Sequence, residues 1–184
     1  MSQQSVPNET FSNSLIELNA LPQIQSLELQ SISPRYQIIN IGLACSVTVA
    51  ILVLISIFRY QPWFEIPLPL FNAYPYAFVI ILVLGCVWGS YHLLADKRIK
   101  YALREQDISL QSGLIFRRLA CQPILRVQHV ELKRGPLVRM AGLASLRVYS
   151  AGGALHTFEI PGIELHVAEQ LRQFILDHKD VSAK

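Results

Sequence analysis

Two stretches of the chain, residues 38–58 and 74–94, run for 21 residues each without an Asp, Glu, Lys or Arg. At a helical rise of about 1.5 Å per residue, each reaches roughly 31 Å, enough to cross a hydrocarbon core of about 30 Å. Only a helix satisfies its own backbone groups in lipid, so the pattern predicts two transmembrane helices. From Ile99 onward it changes to short alternating runs broken by turn residues. These predict strands over 99–104, 108–112, 114–119, 125–133, 143–150 and 155–160, with a helical turn at 137–141 and a Gly152-Gly153 hairpin. The final segment, 164–178, places Leu165, Ala168, Leu171, Phe174 and Ile175 on one face at helical spacing and predicts an amphipathic helix. Ahead of the first span, residues 1–26 are rich in Ser, Gln and Asn and read as disordered, while Leu27–Ile32 alternates and could add a strand to the edge of the later sheet.

The expected organisation is therefore a tail (1–33), a membrane hairpin (34–95) and a domain (96–184) built as an antiparallel β structure capped by a C-terminal helix. The first span is expected to be retained, because Glu9, Glu17 and Glu28 precede it in place of a basic signal-peptide flank. Ser33-Pro34 makes a good helix start. The connection between the spans, 59–73, holds three prolines and is expected to lie irregularly in the outer interface.

Charge sets the expected orientation. Arg59 is the one basic residue between the spans, whereas Lys97, Arg98, Lys100 and Arg104 follow the second within a dozen residues. The positive-inside rule then places both termini in the cytoplasm. Gly42, Ser46 and Ala50 recur every fourth residue in the first span, and Gly85 and Gly89 form a G-x-x-x-G pair in the second. Small residues let helices approach closely in lipid, so these five are the expected contact of an antiparallel hairpin, or of one copy with another. Cys45, Cys86 and Cys121 have no redox or metal spacing and read as free thiols.

The segments Tyr101-Ala-Leu-Arg-Glu, Gly113-Leu-Ile-Phe-Arg-Arg, Pro123-Ile-Leu-Arg-Val-Gln-His-Val, Gly135-Pro-Leu-Val-Arg-Met-Ala-Gly-Leu-Ala-Ser-Leu-Arg-Val and Ile160-Pro-Gly together resemble the bacterial pleckstrin-homology-like membrane proteins of the YdbS-like group. The resemblance covers about residues 27–178. It implies a PH-like fold after paired spans, no established enzymatic activity, and assembly with a larger membrane protein that carries several copies of the same domain.

Residues 95–184 hold fourteen basic and nine acidic side chains. Within 117–147, Arg117, Arg118, Arg126, Lys133, Arg134, Arg139 and Arg147 face a single acid, Glu131. A basic domain tethered beside an anionic leaflet gains about 1 kcal/mol per well-placed cation. Arg117, Arg118, Arg126, Lys133, Arg134 and Arg139 are therefore the candidate lipid-headgroup contacts; the alternative is a set of solvated strand faces. Aromatics do not interleave with these cations, which disfavours nucleic acid. None of the five histidines sits in a ligand pattern, so neither metal nor cofactor is expected. An envelope or lipid-metabolising enzyme would have to use Tyr91, His92, Asp96 and Lys97, whose plainer role is interfacial anchoring. The expected function is a membrane-anchored binding or assembly module; the alternative is a small structural subunit acting through its spans.

Overall fold

The computed structural model describes residues 29–63, 65–150 and 158–181. The tail up to Glu28 and the Gly152-Gly153 hairpin lie outside these residues. Helix α1 covers Pro34–Tyr60 and α2 covers Leu68–Ala95, joined to the next strand by one 3-10 turn, Asp96–Arg98. Both helices are apolar and long enough to cross a membrane. They pack against each other as an antiparallel hairpin.

The connection between the spans departs from its expected irregularity. Residues 68–73 are already helical, because Pro67 stands at the N-cap position and Pro69 falls in the first turn, where a missing N–H costs nothing. Pro75 lies inside α2, a position that transmembrane helices tolerate.

The domain has two antiparallel sheets. The first runs β1 (Gln30–Ser31), β2 (Lys100–Leu103), β3 (Asp107–Ser112), β4 (Arg118–Pro123) in spatial as well as chain order. The second runs β5 (Val127–Lys133), β6 (Leu143–Ser150), β7 (Phe158–Glu164). A short helix α3 (Pro136–Met140) links β5 to β6, and α4 (Leu165–Val181) closes the fold. β1 belongs to the segment before the hairpin and pairs with β2 after it, Gln30 opposite Tyr101 and Ser31 opposite Lys100. The domain therefore includes residues on both sides of the spans, and the hairpin is an insertion between its first two strands.

Two predicted strands are displaced. The expected strand at 114–119 begins only at Arg118, and residues 113–117 form a loop. The last strand runs through Pro161-Gly162 to Glu164, which the sequence pattern had marked as a break. The core gathers Ile108, Leu110, Val127, Val130, Leu146, Val148, Ile160 and Ile163 from the sheets, Ile124 from the 3-10 turn between β4 and β5, and Ala168, Leu171 and Ile175 from α4, with Leu165 and Phe174 packed at its edge. Ile32, from the segment before the spans, is buried in the same core.

Candidate functional site: the joint between hairpin and domain

Three elements meet where the spans end. Ser33, at the start of α1, donates its backbone N–H to the Gly162 carbonyl of β7 at 2.9 Å. Gly162 has φ +64°, a conformation that L side chains rarely adopt, and a Cβ there would collide with the Tyr36 ring. The Ile-Pro-Gly segment thus presents a bare backbone on which the first turn of α1 rests.

On the other side, Asp96 is 5 % exposed. One carboxylate oxygen accepts from Asn40 Nδ2 at 2.8 Å and lies 3.2 Å from His92 Nδ1. Gln37 Nε2 donates to the Leu93 carbonyl at 2.7 Å. Asp96, flanked by His92 on its own side, therefore binds the base of α2 to Asn40 of α1, a use that accounts for a buried carboxylate at a membrane boundary.

Farther along the hairpin, the seam continues on the same face of α1. A Cβ on Gly85 would overlap Thr48, so the helices touch at bare backbone there. Ser56 and Tyr74 hydroxyls lie 2.9 Å apart. At the outer end the Arg59 guanidinium carbon stands 3.1 Å from the centre of the Phe71 ring.

Of the five small residues expected at this contact, Gly85 meets the facing helix. Gly42 and Gly89 have nothing within 4 Å of a notional Cβ, and Gly42, Ser46 and Ala50 are exposed. Ser46 and Thr48 are two positions apart and so point about 200° from one another around the helix. The Gly42-Ser46-Ala50 stripe thus faces away from α2, and Asn40, Ala44 and Thr48 take its place.

The register of the first sheet sorts the candidate cations. Lys100 pairs with Gln111 and Ser112 with Arg118, at the hairpin end; Leu103 pairs with Ile108 and Asp107 with Pro123, at the far end. Arg117 and Arg118 are exposed at the hairpin end. Arg126 is also exposed but follows β4, whose six residues carry it roughly 17 Å away. β5 then returns toward the hairpin and delivers Lys133 and Arg134, with Arg139 on α3, which touches α1. Arg134 Nε donates to the Leu143 carbonyl at 3.3 Å. Arg147 lies within the second sheet and is paired with Glu159 at 2.9 Å, a contact that favours its charged form.

The sequence marks Lys97, Arg98 and Lys100 as topology signals, and Lys97 as interfacial too. In the fold they line one polar pocket with Arg117, Gln111 and Gly113. The adjacent loop tip, Ile115 and Phe116, falls within the strand expected over 114–119. Three successive apolar residues, 114–116, do not alternate, and that was the available signal of a loop.

The described residues form seven strands in two sheets, closed by a C-terminal helix and fixed to a two-span hairpin, the plan of a membrane-anchored pleckstrin-homology-like protein. Residues 18–179 match the family described as Bacterial PH domain, and the chain belongs to that family. It is similar to the UPF0699 transmembrane protein YdbS of Bacillus subtilis (strain 168), with 34 % identity over 101 residues. That match takes in 50 % of this chain and 62 % of the relative, so the chain spans less than two thirds of the relative's length. No solved structure matches.

Proposed function

We propose that this protein is a binding and assembly module at the cytoplasmic face of a bacterial membrane, whose PH-like domain meets a membrane protein partner and anionic headgroups. The observation that carries this reading is the joint. A domain threaded on both sides of its hairpin, with Gly162 seated on Tyr36, has little freedom to swing away from the bilayer. That restraint supports a domain lying beside the leaflet. Four cations after the second span against one between the spans favour the cytoplasmic side. Arg117 and Arg118 on one flank and Lys133, Arg134 and Arg139 on the other are available to headgroups. A larger membrane protein with repeated domains of the same kind is the partner that the family resemblance suggests.

The test is site-specific photo-cross-linking of the full-length protein in intact cells, with the cross-linker at Leu125 or Met140 on the domain and at Val49 or Leu84 on the spans. Adducts to one membrane protein from the domain positions support the proposal. Adducts from the span positions alone support the alternative of a subunit acting through its helices. That second reading has an observation of its own: an apolar groove of about 400 Å³ between the spans, lined by Cys45, Thr48, Leu82, Gly85 and Gly89 among others.

A further inference from the structure

Gly113 has φ +106°, and a Cβ there would run into the Phe116 carbonyl, so the chain doubles back within four residues. The turn pushes two large apolar side chains outward, with Ile115 82 % and Phe116 88 % exposed. Next to the tip, Lys97, Arg98, Lys100 and Arg117 surround a pocket of about 290 Å³ with Gln111 and Gly113; among the described residues no carboxylate lines it. Arg98 also donates to the Leu114 carbonyl at 3.2 Å, which ties the loop to the third residue beyond α2. The loop is therefore held beside the C-terminal end of α2.

We propose that the loop between β3 and β4 is a wedge that enters the same leaflet, Ile115 and Phe116 among the acyl chains, while the pocket beside it seats the phosphate of an anionic lipid headgroup. The apolar tip and the cation ring fit one occupant. Neighbouring large apolar side chains at an exposed apex mark a protein or membrane contact, and the cation-lined pocket beside them favours a lipid surface, which offers hydrocarbon and phosphate together. The proposal rests on the domain's lying against the leaflet, as proposed above, and adds which loop enters it and what it reads.

The experiment uses the full chain in lipid nanodiscs. Cys45, Cys86 and Cys121 are replaced by Ser, and a spin label is placed in turn through Phe116→Cys, Met140→Cys and Leu125→Cys. In discs containing phosphatidylglycerol, the label at 116 should collide with a water-soluble nickel chelate at least about fivefold less often than the label at 125, which sits at the far end of the sheet. Adding Lys97→Glu and Arg117→Glu, both at exposed positions, should return the label at 116 to water while leaving the one at 125 unchanged. Inorganic phosphate added to phosphatidylcholine discs should not drive insertion. A label at 116 as wet as the one at 125 in anionic discs overturns the proposal, as does equal insertion in neutral discs. If 116 is wet while 140 is shielded, the wedge fails and the leaflet-bound domain stands; if both are wet, both fail.

Discussion

Gly162 shows how one missing side chain decides where a domain sits. Its backbone must take positive φ, and the ring of Tyr36 occupies the space a Cβ would need. For an L residue the left-handed conformation alone costs about 1–2 kcal/mol, before any displacement of Tyr36. Gly162→Ala should lower the thermal midpoint of the detergent-solubilised protein by several degrees, whereas Gly142→Ala, which has positive φ but open space around it, should show the backbone cost alone. Equal losses in the two variants would mean that the contact with Tyr36 carries no weight. Tyr101 offers a second test. Burial, and after it the negative charge of Glu164, raises its phenol above the ordinary value. The neutral form is thus the one the fold prefers, and its contribution is complete below pH about 10 and fades as pH climbs through the raised value. Denaturation above pH 10 should be less steep in Tyr101→Phe than in the parent, measured by chemical unfolding across that range.

Among the elements, the hairpin shows what lipid hides from a sequence. Every face of α1 is apolar enough for hydrocarbon, so hydrophobic periodicity has no phase there, and the small-residue stripe at Gly42, Ser46 and Ala50 looked as plausible a seam as any other. The rotation was set by groups with stronger demands: Asn40 seeking Asp96, Gln37 seeking the Leu93 carbonyl, Thr48 against bare Gly85. Gly85→Val should splay the helices and reduce the yield of bifunctional thiol cross-linking between Cys45 and Cys86, which line the same groove. Thr48→Gly in the same chain removes the atoms in conflict and should restore it; failure of that rescue would count against this contact. The spans themselves were legible because charge-free length admits one reading in a bilayer, and β6 was legible because Gly142 bounds it and its extent matches the apolar run. β4 was misplaced because Leu114-Ile-Phe imitates a strand while serving as a loop tip. The candidate cations form a continuous group in the sequence, but two sheets fold it into a hairpin-end set and a remote Arg126, a separation visible only through register.

For the molecule as a whole, the consequential fact is that a two-residue strand and Ile32 are supplied from ahead of the membrane region. A fragment of residues 95–184 lacks both. Removing Ile32 alone should cost about 2–5 kcal/mol, as for other aliphatic truncations to nothing larger than Ala in a core. The bare fragment should therefore unfold without a cooperative transition, whereas residues 29–33 joined to 96–184 by a flexible Gly-Ser linker should unfold cooperatively; circular dichroism against temperature separates the two outcomes. A cooperative transition in the bare fragment would show the leading strand to be dispensable.

Because the two partners of that first ladder are separated in the chain by an out-and-back excursion through lipid, they can find each other only after an even number of crossings. A nascent chain that threads one span and leaves the other behind strands the early segment and its mate in different compartments, with an open sheet edge and a gap where Ile32 belongs. Completion of the lobe therefore requires both spans to be threaded: a wrongly threaded copy would keep that sheet edge unpaired.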